Sequence, residues 1–339
     1  MNQMNTPAQI KIVLAPMEGV IDAAMRRFLT AQGGYTRCVT EFIRVTDVLL
    51  PERVFMRLCP ELASGSITES GVPVYCQLLG SKPDAMAANA RRAVVLGAAG
   101  VDLNFGCPAK TVNSSMGGSV LLQYPRLVGD IVRAVRDAVP LRTPVTAKIR
   151  LGYENRDALE EVVSEIRQAG ATELAIHART KYDGYRPPAW WSSVSSVMQE
   201  GCNETYINGE IWSVEDSVQA RVQSGCRHVM LGRGALASPD LARRILRAAR
   251  GDMVPRMQWS TVCEQVERQF LQSDSQSPRH VGNRTKQWLA YLKRSYPQAT
   301  DLFSRIRTLH DVTAISQAFA EHRCALHQPG NQRQDHLQI

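Results

Sequence analysis

The run Val101-Asp102-Leu103-Asn104-Phe105-Gly106-Cys107-Pro108 decides how this chain is read. Its first five residues have the pattern of a short buried strand, and the strand stops at a glycine, a cysteine and a proline. Gly106 is free to adopt backbone angles that other residues avoid, and Pro108 has no N–H to offer a strand ladder. The spacing therefore predicts Cys107 in a sharp turn at a strand end, where a reactive group faces a ligand. The segment that follows, Lys110 to Gly118, is polar and ends on two glycines, which suits an active-site loop better than core. Two readings of Cys107 stand side by side here, a small buried hydrophobe and a functional thiol.

Working outward, apolar runs of the same kind occur at Ile12 to Ala15, Cys38 to Ile43, Val72 to Leu78, Val145 to Ile149, Glu173 to Ile176, Thr205 to Ile207 and His228 to Leu231. With Val101 to Phe105 they make eight. Between them lie segments with helical periodicity, such as Asp84 to Leu96, Pro125 to Val139, Asp157 to Ala169 and Ser213 to Gln223. Pro125 suits a first helical turn, Asp157 and Ser213 are capping residues, and Gly97, Gly170 and Gly225 stand where helices end. Strands alternating with helices predict parallel pairing through helical crossovers. Eight such units over ~240 residues predict an α/β fold of the (β/α)8 TIM-barrel type. After Arg250 no strand-like run appears. Residues 251–255 read as a linker, and Trp259 to Phe270, Gly282 to Ser295 and Val312 to His322 read as helices. The expected organisation is a barrel domain over 1–250, a small C-terminal all-helical domain over 256–325 and a fraying polar tail over 326–339.

Composition narrows the class. At 339 residues the chain exceeds the size at which a single core stops growing, in keeping with two domains. Its 44% hydrophobic and 21% charged content is that of an ordinary soluble protein. No run approaches the ~18 apolar residues of a membrane span, and the polar N-terminus lacks a signal peptide's apolar stretch, so a cytoplasmic location without a membrane partner is expected. Eight cysteines, with no Cys-x-x-Cys and no disulfide framework, read as reduced thiols. The absence of His-Glu-x-x-His and of clustered Cys/His argues against a metal, and no Gly-x-Gly-x-x-Gly or Walker loop is present. A formal charge of +8 points weakly toward a polyanionic partner.

In a barrel of parallel strands, ligands gather at the C-terminal strand ends. Polar or glycine-bearing residues fall there repeatedly: Pro16-Met17-Glu18-Gly19, Gln77, Gly106-Cys107-Pro108, Lys148 with Arg150, His177-Ala178-Arg179, Asn208-Gly209-Glu210 and Gly232-Arg233-Gly234. Backbone amides of the last two loops form the usual phosphate site of such barrels, with Arg233 available to pair with the phosphate. A phosphate-bearing cofactor across the mouth follows, and a lysine such as Lys148 beside a flavin stabilises negative charge on the reduced ring.

Together with Leu14-Ala15-Pro16-Met17-Glu18-Gly19-Val20 and Lys148-Ile149-Arg150-Leu151-Gly152, these motifs resemble the tRNA-dihydrouridine synthases, from about Lys11 to Phe303. The resemblance implies an FMN-dependent barrel followed by a helical tRNA-binding domain. It implies FMN contacts at Pro16, Met17, Glu18, Gln77, Lys148, Asn208, Gly209, Glu210, Gly232 and Arg233, with His177 near the ring and Cys107 as proton donor. The chemistry is coherent with that role: hydride from reduced flavin adds at uracil C6, and C5 must then receive a proton. A thiol with an ordinary pKa of ~8.5 keeps its proton at neutral pH, where a carboxylate has lost it. One departure precedes the seventh strand, where Gly201-Cys202-Asn203-Glu204 replaces a plain apolar run and leaves the strand's length open.

From Arg279 to Arg307 stand seven Lys or Arg residues against one acid, Asp301. Trp288, Tyr291 and Leu292 have the spacing of a packing stripe, while the cations suit a phosphate backbone. His280-Val281-Gly282-Asn283-Arg284-Thr285-Lys286-Gln287-Trp288 and Thr40-Glu41-Phe42-Ile43-Arg44 resemble the C-type synthases, which act on the D-loop uridine at position 16 of tRNA. The tRNA-orienting residues implied are Arg44, Arg284, Lys286 and Arg307. The target base must leave its stack to enter a barrel mouth. The expectation is thus a monomeric enzyme with FMN as cofactor, NADPH as reductant and tRNA as substrate. Two rivals are a small-molecule flavin ene-reductase, which needs no basic helical domain, and a tRNA-binding chaperone whose barrel no longer turns over.

Overall fold

Every residue of Val101–Phe105 and of Val74–Leu79 is buried, which is what strands covered on both faces require of their side chains. The computed structural model describes residues 10–198, 204–272 and 281–326. Its strands are β1 (Ile12–Leu14), β2 (Arg37–Val39), β3 (Ile43–Arg44), β4 (Val74–Leu79), β5 (Val101–Phe105), β6 (Val145–Arg150), β7 (Glu173–His177), β8 (Glu204–Asn208) and β9 (His228–Leu231). All pair in parallel in the order β2-β1-β9-β8-β7-β6-β5-β4-β3, and a further pairing of β2 with β4 closes the barrel. The crossovers are α1 (Ala23–Ala31), α2 (Glu52–Leu58), α3 (Pro83–Val95), α4 (Lys110–Asn113), α5 (Pro125–Ala138), α6 (Leu159–Gln168) and α7 (Val214–Ser224).

The expected second strand, Cys38 to Ile43, is two pieces. Val39 pairs with Tyr75 and Ile43 with Leu78, so the chain uses one more residue than β4 does across the same stretch, which is a bulge. Thr40 Oγ1 fills the break by accepting from Gln77 N at 3.0 Å. A second correction concerns α6, where Asp157 does not cap. Ala158 holds the N-cap position without a side-chain bond, and the turn before it is closed by Leu159 N donating to Arg156 O at 3.0 Å. Ser213 does cap α7, in a reciprocal box with Asp216. The departure before the seventh strand lies in residues 199–203, outside the described residues; β8 itself is described from Glu204.

One end of the barrel is filled. Arg37 lies between the rings of Tyr75 and Tyr206, 5.0 and 4.9 Å from their centroids, and pairs with Glu173. Arg37, Tyr75 and Glu173 are early residues of their strands and Tyr206 is mid-strand, so the end left for chemistry is the one where the strands finish.

By packing, the chain divides into two units, Met1–Gly232 and Arg233–Ile339. The second holds α8 (Arg233–Ala237), α9 (Leu241–Ala248), α10 (Trp259–Gln272), α11 (Asn283–Leu292), α12 (Gln298–Ile306) and α13 (Val312–Leu326). The division falls ahead of the linker read at 251–255. Trp288 Nε1 donates to Leu236 O at 3.1 Å and Met257 N to Asp240 Oδ2 at 3.0 Å, and these bonds tie α8 and α9 to the helices that follow. Helix α12 was not expected. Its buried Ala299, Leu302 and Ile306 follow helical spacing, but they sit in a stretch whose cations dominate the reading.

Candidate active site

The residues singled out by sequence fall at the strand ends as a group. Arg150, His177 and Asn208 are the last residues of β6, β7 and β8, Pro16-Met17-Glu18 follow β1, and Gly232 follows β9 with Arg233 opening α8. Gly209 takes φ +110°, a backbone region closed to most side chains, and a Cβ there would lie 2.7 Å from His177 Cδ2. A Cβ at Gly232 would lie 3.3 Å from Met17 Sδ. The two loops are thus drawn flat against the side chains at the mouth, as a backbone cradle must be. Asn208 Nδ2 donates to Met230 O at 2.8 Å and ties the ends of β8 and β9 together.

Glu210 is held from two sides. Arg179, fully buried, pairs with Oε2, and Trp212 Nε1 donates to Oε1 at 2.9 Å, with the backbone at φ 57°. Arg179 also faces His177 Nε2 at 3.3 Å. A guanidinium only donates, so that ring nitrogen accepts, and the His177 proton sits on Nδ1.

Inside the barrel a continuous polar chain runs beneath the Cys107 turn. Gln77, Asp102 and Thr146 are side by side across β4, β5 and β6. Asp102 Oδ2 accepts from Gln77 Nε2 at 2.7 Å, and Thr146 Oγ1 donates to Oδ1. Gln77 Oε1 accepts from Asn104 Nδ2 at 2.8 Å, and Asn104 Oδ1 accepts from Gly106 N at 3.0 Å and Cys107 N at 2.9 Å. From the other side Arg150, also fully buried, donates from Nε to Gly106 O at 2.9 Å and from Nη1 to Thr180 O at 2.8 Å, with Tyr185 over its guanidinium at 5.2 Å. Cys107 O accepts from Asn113 Nδ2 at 2.8 Å and Ser119 Oγ at 2.9 Å. The turn is therefore fixed at each backbone polar group, while the Cys107 thiol remains half-buried at the rim.

Charge at the mouth is set by burial. Burial pushes the Cys107 thiol above its ordinary pKa, opposed by the hydrogen bond from Ala109 N and by Arg150 and Lys148. Burial first and Arg150 second lower Lys148 to about 8, opposed by Asp102 and Cys107. No ion pair or hydrogen bond among the described residues engages the Lys148 amine, and the residue as a whole is half-buried. Burial also raises the Asp102 carboxyl, opposed by its bonds from Gln77 and Thr146.

Residues 13–325 match the family described as Dihydrouridine synthase (Dus). The chain belongs to the dihydrouridine synthase family. Among the curated relatives of this dihydrouridine synthase chain, the tRNA-dihydrouridine(16) synthase of Shewanella oneidensis is 47% identical over 317 residues, covering 92% of this chain and 99% of that one. The protein of the same name from Pseudomonas putida is 47% identical over 309 residues, covering 91% and 96%. Among solved structures, a 2-naphthoyl-CoA reductase complex superposes with TM-score 0.54 at 12% identity, over 71% of this chain and 50% of that one. The TcOYE complex with pHBA gives 0.51 at 12%, over 74% and 91%. At such identity the two share the barrel fold with this chain.

The sites expected for RNA are on the described surface. Arg44, exposed at the end of β3, donates to Thr111 O at 3.0 Å. In the helical unit Arg284 and Arg307 are exposed, and Lys286 Nζ donates to Leu309 O. Of the expected packing stripe, Trp288 and Leu292 are buried and Tyr291 is half-buried. Arg305 pairs with Asp301, and Lys293 covers the Phe303 ring at 4.2 Å, so these two cations have local work. Arg279 and the tail 327–339 lie outside the described residues. What sequence reasoning did not assign in this family member is the buried layer of Asp102, Asn104, Thr146 and Arg179. The signal for the first three is polar residues two apart in apolar runs, a spacing that sends them to one face of a strand.

Proposed function

We propose that the chain is a flavin-dependent tRNA-dihydrouridine synthase that reduces the D-loop uridine at position 16 to 5,6-dihydrouridine. The observation that carries this reading is at the ends of neighbouring strands β5 and β6. There the half-buried Cys107 thiol, its pKa raised by burial, and the Lys148 amine lie within electrostatic reach of each other at the mouth. The near-full-length relatives named for position 16 support the substrate.

The residues present fit an FMN. The loops at Gly209 and Gly232 run close against His177 and Met17 with no side chain of their own between, Arg233, next in sequence to Gly232, is the proposed phosphate partner, and Lys148 offers a cation that no hydrogen bond or ion pair engages. Pro16, Met17, Glu18, Gln77, His177, Asn208 and Glu210 complete the proposed contacts. Gln77, Asn208 and Glu210 also carry internal bonds that hold the mouth in shape. When bound, FMN supplies the hydride that uracil C6 receives, and NADPH is the proposed source of reducing equivalents.

The chain's own part is to hold charge and protons. Burial keeps the Cys107 proton on Sγ at neutral pH, available for C5. Lys148 stabilises negative charge beside the ring. Arg150 and Asn104 fix the turn that aims the thiol. Arg44, Arg284, Lys286 and Arg307 are the proposed phosphate contacts that orient the tRNA.

The test is a deletion strain mapped for dihydrouridine, with the purified protein assayed for FMN. Loss of dihydrouridine at position 16, restored by the gene, is expected. A colourless protein that FMN cannot reconstitute, or unchanged tRNA in the deletion, overturns the reading.

A further inference from the structure

Asp102 reaches no substrate-facing surface, yet it stands at the head of the only polar chain described beneath the Cys107 turn. The chain has a direction that elementary hydrogen-bond chemistry imposes. At its lower end the carboxylate of Asp102 accepts from Gln77 and from Thr146. At its upper end two backbone amides, Gly106 N and Cys107 N, only donate. Between them lie two side-chain amides, each with a donor end and an acceptor end. One arrangement pairs every donor with an acceptor: Gln77 and Asn104 both turn their NH2 groups toward Asp102 and their oxygens toward the turn. Reversing Gln77 forces Asn104 to reverse as well, and its NH2 would then face the two backbone N–H groups. Such a donor-to-donor contact in a buried layer costs more than a missing bond, because the two N–H dipoles also repel one another.

We propose that Asp102 is a positioning residue that sets the orientation of the Gln77 and Asn104 amides and thereby holds the Cys107 thiol in its working place. The relay needs an acceptor facing Gln77, not a negative charge. Asn at this position satisfies it, with its oxygen toward Gln77 and its NH2 toward Thr146, whose hydroxyl turns to accept. A leucine does not. Thr146 supplies the control: Thr146→Val removes the other partner of Asp102 in the same buried layer and leaves the amide chain whole.

The role given to Cys107 rests on the proposed function, but the relay does not, and the test separates them. The apoprotein variants Asp102→Asn, Asp102→Leu and Thr146→Val are reacted with iodoacetamide, and alkylation of the Cys107 peptide is followed by mass spectrometry. The FMN-loaded proteins are then tested for tRNA reduction and FMN content. Asp102→Leu is expected to loosen the turn and speed Cys107 alkylation several-fold. It should also slow tRNA reduction by about tenfold or more, the factor that one broken hydrogen bond in a buried site commands. Asp102→Asn and Thr146→Val should stay near wild type in both. If Asp102→Leu fails to fold, Gln77→Met cuts the chain one link later and is read by the same alkylation. The relay is overturned if the cut variant alkylates like Thr146→Val, or if Asp102→Asn behaves like Asp102→Leu. A failure of the Cys107 role alone would instead show as altered alkylation with unaltered tRNA reduction across all variants.

Discussion

At the scale of single residues, two groups carry the proposed chemistry and burial acts on each. Cys107 holds its proton because burial disfavours the thiolate, so it suits an acid and not a nucleophile. Cys107→Ala should leave FMN content and its reduction by NADPH intact and slow uridine reduction by ~10²–10⁴-fold, the range of general acid catalysis. Rapid-reaction absorbance separates the two half-reactions, and wild-type turnover by the alanine variant would return Cys107 to a packing role. Lys148 has the opposite sensitivity. Its folded pKa of about 8 lies below the ordinary 10.5, so between those values the unfolded chain binds a proton that the folded one does not. Stability against unfolding therefore rises with pH across that window, by linkage, and Lys148→Met should abolish the rise. FMN affinity should run the other way, falling as pH climbs through about 8, because the cation that faces the ligand is lost. Titration of FMN binding by fluorescence from about pH 6.5 to 9.5, a window that brackets this pKa, checks it, with Lys148→Met as the flat control.

At the scale of elements, the strand ends succeed because the turns after them are geometrically forced. Gly209 combines φ +110° with contact against His177, so Gly209→Ala should cost ~1–3 kcal/mol in backbone strain and displace the ring. Urea unfolding gives the stability, and a loss of FMN affinity beyond that of an exposed Gly→Ala control gives the displacement. The capping box of α7 offers a contrast away from the site. Ser213→Ala should cost ~1 kcal/mol and leave FMN and tRNA binding unchanged. Capping was legible for Ser213 and misread for Asp157, although both precede helices. A cap depends on the backbone angle of the preceding residue, and the turn at Asn155–Ala158 takes a different path. The bulge at Thr40 was equally hidden, since one extra residue in a pairing leaves no mark on the apolar pattern.

At the scale of the whole molecule, each unit brings its own cations: Arg44 from the barrel, and Arg284, Lys286 and Arg307 from the helices. Phosphate contacts orient a nucleic acid without reading its sequence. Replacing the four by alanine should weaken tRNA binding and flatten its salt dependence, by roughly 0.7–0.9 in log–log slope for each phosphate left unneutralised. FMN content should not change. Affinity measured at several salt concentrations decides the matter, and an unaltered slope would assign the tRNA to another surface. Lys286 carries a second consequence, because its bond to Leu309 O means that Lys286→Ala also loosens the turn after α12.

The sequence by itself determined the alternation of strand and helix, the strand ends that bear polar residues and glycines, and the Cys107 turn. Each is local: periodicity, a missing N–H, or a glycine reports on its own neighbourhood. Only the tertiary structure decided which side chains answer one another. Asp102 and Gln77 are twenty-five residues apart along the chain, and Arg179 meets Glu210 across two strands. Closure of the barrel brings them together in a buried layer. There the partner of a hydrogen bond, and the pKa of a lysine, are set by what the fold has placed opposite.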